Sequence, residues 1–348
     1  MKNLIKNARI FKNLKIKDLA FKMNVDQALI SRFESGLRLP TKSQILILSQ
    51  ILDISYDDLI VSWLKEKIIS EIGYDDYAVS AMQLVCEDIT AYQSVLPKIS
   101  SNLDAILTEI DLLKNKLNTV RNLDSFKIKQ ALELEYTFES NRIEGNTLTL
   151  RETDLVINEG LTVSGKSMRE HLEAINHQDA IEYIRAMMDK NANIVERELL
   201  SIHNLILRGI LPHDAGRYRN VQVLIKGSGH TPPQPFLVAK QMEDFFIWFE
   251  SNKKLLHPVI LAAEMHLRLV TIHPFIDGNG RTSRLIMNLI LLQSGYVIAN
   301  IKGDFDSRMA YYSALENAQT TGKNDDFLMF VANIEKQGLE RYLSIIGE

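Results

Sequence analysis

Residues 273–292 read HPFIDGNGRTSRLIMNLILL, and few stretches of the chain limit its folding more tightly. His-Pro-Phe-Ile-Asp reads as a loop, GNG frees the backbone, and the apolar run that follows predicts a buried helix over 281–294. This order gathers backbone N–H groups at a helix N-terminus, where unpaired donors and the helix dipole stabilise an anion. Such a turn invites phosphate. Arg281 and Arg284 sit three apart, so they share one face of the first helical turn and can act on neighbouring phosphates as charged forks. Asp277 is a hard oxygen ligand suited to Mg²⁺ carried on those phosphates. His273 is the side chain of the loop able to take a proton near neutral pH.

Together these parts describe phosphoryl or nucleotidyl transfer with a base that deprotonates an incoming hydroxyl. A P-loop would need GxxxxGK[ST], and a dinucleotide fingerprint would need a strand before its glycines and a third small residue. Glu264, His266 and His273 lack HExxH spacing, which argues against zinc. The remaining alternative is a capped helix whose polar residues are all incidental.

Composition narrows the setting. The 348 residues, 46% hydrophobic and 24% charged, can bury a core of ordinary size and predict two or three domains. MKNLIKNARIFKNLKI scatters its lysines and does not read as a signal peptide, and no apolar stretch reaches the length of a membrane span. The single cysteine, Cys86, excludes an intrachain disulfide framework and a cysteine-built zinc site. A reducing cytoplasm without a membrane partner is the expected location. Charge is uneven: residues 1–50 carry ten Lys/Arg against three Asp/Glu, net +7, which leaves −11 for the rest of a chain whose net charge is −4. A basic head on an acidic body predicts a separate N-terminal module that meets a polyanion, against the alternative of a solvated basic helix pair.

Apolar spacings of three and four predict short helices over 4–13, 16–23, 26–35 and 41–52, then longer ones over roughly 76–95, 99–119, 124–143, 151–160, 167–189, 195–209, 238–251, 257–271 and 281–294. The exception is RYRNVQVLIKGSGHTPPQP, where Val221, Val223 and Ile225 alternate and KGSG is turn chemistry, predicting a short β-hairpin ahead of Pro232, Pro233 and Pro235. The expected fold is mainly α: a helix-turn-helix bundle (1–62), a helical linker region (63–123), a helical region (124–190) and an all-helical core with a short hairpin (191–348).

Within KIKDLAFKMNVDQALISRFESGLRLP, a helix carrying Leu19, Ala20 and Met23 meets one carrying Leu29, Ile30 and Phe33 across a turn at Asn24, a residue type that tolerates left-handed backbone. The run resembles the lambda-repressor-like helix-turn-helix family at Leu19, Ala20, Val25, Ile30, Ser31, Arg32, Glu34, Gly36, Arg38 and Pro40, with Asn24 where that family more often has glycine. The resemblance implies a second helix in the major groove of double-stranded DNA. Gln27, Ala28, Ser31 and Arg32 would read bases, and Lys15, Lys17, Arg38 and Lys42 would hold phosphates. A protein-interaction bundle is the alternative. Operator binding by such domains usually uses dimers, so a homodimer is expected.

HPFIDGNGRTSR in turn resembles the signature of Fic-domain proteins, HxFx[DE]GNGRxxR, at every specified position. The resemblance covers about 130–340 and implies adenylylation, the transfer of AMP from ATP to a protein hydroxyl of Ser, Thr or Tyr, on a target or on the chain itself. It makes His273 the general base and Asp277 the Mg²⁺ ligand. Gly278, Asn279 and Gly280 would cradle phosphates, with Thr282 and Ser283 in the same turn, and Arg281 and Arg284 would bind the β/γ end. GRYRNVQVLIKGSGHTPP is similar to the family's flap, placing Ile225, Lys226, Gly227, Ser228, Gly229 and His230 against ATP. Tyr311 and Tyr312 match a tyrosine pair of the adenine pocket, and Gln319 falls where relatives often have Asn. Ordinary helix packing is the other account of the tyrosines.

SNRIEG, residues 140–145, fits the family's inhibitory pattern [ST]xxxE[GN] at Ser140, Glu144 and Gly145. The resemblance implies that Glu144 pairs with Arg284 and keeps the γ-phosphate from its productive position. An ATP-sensing transcription regulator without transfer, and an enzyme that uses Glu144 to remove AMP, are the rival readings.

Overall fold

The computed structural model describes residues 1–73, 77–95, 100–121, 126–190 and 192–347, with the side chains of 42–43 and 87–95 outside that set. The chain divides into two compact units, Met1–Pro97 and Lys98–Glu348.

The first unit holds α1 (Lys2–Phe11), α2 (Ile16–Lys22), α3 (Gln27–Ser35), α4 (Lys42–Leu52), α5 (Tyr56–Ile72) and α6 (Ala78–Val95). Its core joins Ile5, Leu19, Ala20, Met23, Ile30, Phe33, Ile45, Leu48, Leu52, Leu59 and Trp63. Asn24, between α2 and α3, has φ 51°, the left-handed conformation that its residue type anticipates. Asp26 then caps α3 by accepting from the Ala28 N–H at 2.6 Å. Arg9 is buried against Glu34, with two guanidinium bonds of 2.5 and 2.9 Å, so this member of the basic head is spent inside the bundle. Helix α5 was not anticipated: its apolar residues do not form one narrow stripe, although Leu59 and Trp63 enter the core and the indole N–H donates to the Pro40 carbonyl at 2.8 Å.

The second unit contains α7 (Ser101–Val120), α8 (Phe126–Ile143), α9 (Leu150–Asn158), α10 (Met168–Asp189), α11 (Glu196–Leu207), α12 (Pro235–Asn252), α13 (Pro258–Ile272), α14 (Asn279–Gln293), α15 (Phe305–Thr321) and α16 (Asp325–Ile346). Helices α13 and α14 form its centre. Their sequences are apolar almost all round, the mark of a helix buried on every side, and α14 is buried from Arg281 through Leu291. Helices α8, α10 and α11 pack on α14, while α12, α15 and α16 pack on α13. Pro258 opens α13 at a position where its missing N–H costs nothing.

The hairpin expectation is corrected. No strand occurs among the described residues, and 217–234 is an irregular loop. Its two arms are tied by side chains instead of a backbone ladder: Arg219 donates to the Val221 and Pro233 carbonyls at 3.0 and 2.7 Å, and Gln222 donates to the Pro232 carbonyl at 2.9 Å. Pro232 and Pro233 have no N–H to give to a ladder, so the alternation of Val221, Val223 and Ile225 finds no pairing partner.

Candidate active site

The loop between α13 and α14 is built to hold one shape. His273 ends α13 in a left-handed conformation, φ 50° and ψ 57°, which turns the chain at once away from the helix axis. Asn279 then closes the loop: its amide oxygen accepts from the Phe275 N–H at 3.0 Å and its amide N–H donates to the Phe275 carbonyl at 2.9 Å. The Phe275 ring is fully buried and stacks on the His203 imidazole at 3.6 Å. His203 accepts from the Gly216 N–H through Nδ1, at 2.9 Å, so its Nε2–H is the one that donates to the Asp277 carbonyl at 3.0 Å. Burial holds this imidazole neutral, its pKa pushed down to about 4.

The His273 imidazole is half-buried, with Nδ1 3.3 Å from the Val270 carbonyl. Burial pushes its pKa below the ordinary value, and Arg219 and His230 push the same way, against the Val270 carbonyl and Glu144. A neutral ring with Nδ1–H directed at a carbonyl leaves Nε2 as the proton acceptor. The loop backbone is anchored by Arg219, only 3% exposed, which donates to the His273 carbonyl at 2.8 Å, while its own N–H donates to Pro274 at 2.8 Å.

Asp277 faces three donors. One oxygen accepts from Gly278 N–H at 2.6 Å and from Arg281 at 3.2 Å, and the other accepts from Arg169 of α10 at 2.7 Å. Burial alone would raise this carboxyl, but Arg281, the Gly278 N–H and Arg169 outweigh it and hold the group below the usual aspartate value. Gly278 has φ 78°, and a Cβ there would press on Ile206 and His203. No side chain caps the N-terminus of α14. Arg281, 2% exposed, lies 3.3 Å from Glu173, and its Nε has no hydrogen-bond partner. An uncapped helix start beside a buried guanidinium with an unused N–H is an anion site in waiting.

Arg284 is engaged on every edge it presents to α8. Its Nε donates to the Ser140 hydroxyl at 3.0 Å, and its Nη2 donates to the Ser140 carbonyl at 3.0 Å and to the Glu144 carboxylate at 2.6 Å. The guanidinium is 1% exposed. The carboxylate lies against the start of α14 so closely that a Cβ on Gly280 would stand 2.5 Å from Glu144 Oε1. Gly145, at φ 97°, turns the chain away after the acid.

The remaining expected contacts are distributed unevenly. Thr282 and Ser283 are fully buried; Ser283 donates back to the Asn279 carbonyl at 2.7 Å, while the Thr282 hydroxyl has no hydrogen-bond partner. In the 225–230 loop, the Gly229 N–H donates to Glu316 of α15 at 2.6 Å and the His230 Nε2 pairs with the Thr271 carbonyl at 2.9 Å, pinning both sides. Ile225, Lys226, Gly227 and Ser228 form the turn between, closed by the Ser228 N–H on the Ile225 carbonyl at 3.2 Å. Tyr311 is 2% exposed and pairs with the buried His266 Nε2 at 2.9 Å, inside the core. Tyr312, 40% exposed, donates to the Ile143 carbonyl at the end of α8 at 3.2 Å. Gln319 donates to Thr271 at 3.3 Å, beside the loop's anchor. Arg169, Glu173 and His203 were missed by motif reasoning, and nothing in the sequence near them marks a site; Arg219 lies within GRYRNVQVLIKGSGHTPP but was not singled out there.

In the first unit, Gln27, Ala28, Ser31 and Arg32 are all exposed on α3, while Ile30 and Phe33 face the core. Lys15, Lys17 and Arg38 are exposed as well, and the Lys42 side chain lies outside the described residues.

Comparison with known proteins gives the site a context. Residues 193–291 match the Fic/DOC family and residues 5–59 match a helix-turn-helix family. The chain is 36% identical over 272 residues to protein adenylyltransferase Fic of Nematostella vectensis, covering 77% of this chain and 62% of that protein. It is 35% identical over 240 residues to protein adenylyltransferase Fic of Drosophila grimshawi, covering 68% of this chain and 49% of that protein. It therefore spans about half to three-fifths of these relatives. A Fic family protein from Desulfovibrio desulfuricans G20 superposes with a TM-score of 0.64 at 27% identity, over 72% of this chain and 77% of that one. Fic-1 from C. elegans, at 23% identity and a TM-score of 0.62 over 99% and 98% of the two chains, shares the fold.

Proposed function

From the premise that this chain carries a Fic/DOC-family domain behind a helix-turn-helix domain, we propose that it is a protein adenylyltransferase restrained by its own Glu144 and tethered to DNA. The observation that carries the reading is the Arg284 guanidinium, the last arginine of HPFIDGNGRTSR, held by Ser140 and Glu144.

In this account the α14 N-terminus and Arg281 receive the phosphates of ATP, and His273 takes the proton of a Ser, Thr or Tyr hydroxyl as its oxygen attacks the α-phosphorus. The bond from the α-phosphorus to the bridging oxygen breaks and pyrophosphate leaves. Asp277 would hold Mg²⁺, which when bound neutralises phosphate charge. A single partly exposed carboxylate beside an anion site is a donor set that fits it, since Mg²⁺ commonly takes one or two carboxylates plus phosphates. No cluster of three metal-ligating side chains occurs among the described residues.

The restraint is competition for one cation. Glu144 occupies the guanidinium that would clamp the terminal phosphate, so ATP meets a filled site and binds poorly or out of line. The exposed row Gln27, Ala28, Ser31 and Arg32 supports DNA recognition by α3. Among the described residues no helix is long and apolar enough to cross a membrane.

Incubating the wild type, Glu144→Gly and His273→Ala with ATP labelled at the α-phosphate tests the reading. Label should rise in Glu144→Gly and vanish in His273→Ala. Equal label in all three proteins would overturn it.

A further inference from the structure

The oxygen of Asp277 that points away from Gly278 and Arg281 already has an occupant. Arg169, in the first turn of α10, reaches across to donate to it at 2.7 Å. Its Nε is held in turn by Glu173 at 3.1 Å, one helical turn along. The Arg169 side chain is 53% exposed and Asp277's is 32% exposed, so this contact stands at the open side of the site, unlike the sealed Arg284. Glu173 is a junction: besides Arg169 it lies 3.3 Å from Arg281 and accepts from Asn146, just after the Glu144 turn, at 3.0 Å.

We propose that Arg169 is a positioning residue that competes with the divalent cation for Asp277, so that loading the metal requires its guanidinium to swing off the carboxylate. The inference rests on the reading of Asp277 as the metal ligand. A carboxylate oxygen cannot hold a guanidinium at 2.7 Å and a small dication at contact distance on the same face. The contact also has a use before loading. It holds the Asp277 carboxylate in place, and Glu173 gives Arg169 a second partner on which to rest once displaced. Two arginine pairs thus cover the two halves of the site: Glu144 on Arg284 at the phosphate end, and Arg169 on Asp277 at the metal end.

Calorimetric titration of ATP into the full chain carrying Glu144→Gly and His273→Ala, across a series of Mg²⁺ concentrations, reads the competition without turnover. Adding Arg169→Gln should lower the Mg²⁺ needed for half-maximal ATP affinity about three- to fivefold, the scale of a half-exposed ion pair. Arg169→Lys, which keeps the charge, should stay within about twofold of the parent. An unchanged Mg²⁺ dependence in Arg169→Gln, or weaker ATP binding at saturating Mg²⁺, would overturn the proposal and make Arg169 a scaffold or a phosphate ligand. Asp277→Asn separates the two levels. If it abolishes the Mg²⁺ dependence while Arg169→Gln leaves it unmoved, only the competition fails. If Asp277→Asn also changes nothing, Asp277 is not the metal ligand and both fall.

Discussion

His273 is the base in the proposed transfer, and its environment favours the neutral ring that role needs. Burial lowers its pKa from 6.5 and the nearby Glu144 partly opposes that. A base works when neutral, so the lowered value keeps it active down to pH values below the ordinary imidazole range. The transfer rate of Glu144→Gly, measured from pH 5 to 8, should therefore hold level above about 6.5 and fall only below it. A half-loss at pH 7 or above would contradict the assigned base. Replacing His273 by Ala should cost about 10²- to 10⁴-fold in rate, the usual contribution of a positioned acid or base. Buried His203 carries a separate signature. Its folded pKa lies at about 4 against 6.5 unfolded, so it adds stability fully present above 6.5 and lost as pH falls toward 4. Thermal melting of His203→Gln should show less acid destabilisation over that window than the wild type.

At the scale of elements, the Glu144 turn and the start of α14 are fitted to each other through Gly280. Adding a methyl there places it 2.5 Å from the Glu144 carboxylate. Gly280→Ala should expel the carboxylate, and its destabilisation should largely disappear in the Glu144→Gly background. Urea unfolding of the four proteins should give a coupling of about 0.5–3 kcal/mol, and additive values would show that the two residues do not meet. The same elements show what the sequence could and could not reveal. His273, Asp277, Arg281 and Arg284 were legible because one turn and one helix start bring them together within twelve residues. Arg169 and His203 reach Asp277 from 108 and 74 positions away, and Arg219 reaches His273 from 54, distances over which no local pattern reports. Helix α16 was not anticipated; within it Gly338 has no side chain where a Cβ would stand 3.2 Å from Val297. The hairpin failed for a different reason: period-two alternation was present, but alternation specifies a face and not a partner strand.

For the whole molecule, charge divides by segment and not by unit: residues 1–50 carry net +7, residues 51–97 carry net −7, and Lys98–Glu348 carries net −4. The exposed face of α3 and the net +7 of the first fifty residues suit a duplex, whereas the second unit, only mildly acidic, holds the proposed phosphate site. Arg32→Ala should weaken binding to a selected operator by about 1–3 kcal/mol and relax preference at one base pair. Lys17→Ala should weaken all sequences alike and reduce the salt slope by about one. Fluorescence anisotropy across a salt series distinguishes these outcomes, and no measurable DNA binding at low salt would leave the first unit a protein-interaction bundle. The central claim is narrower: Glu144 withholds a transfer that His273 performs. Intact-protein mass spectrometry after incubation with Mg²⁺ and ATP tests it most directly. The account predicts an AMP-sized gain that is small in the wild type, about tenfold or more greater in Glu144→Gly, as expected when a competing buried ion pair is removed, and absent when His273→Ala is added. A gain equal in wild type and Glu144→Gly, or one that survives the loss of His273, would contradict it.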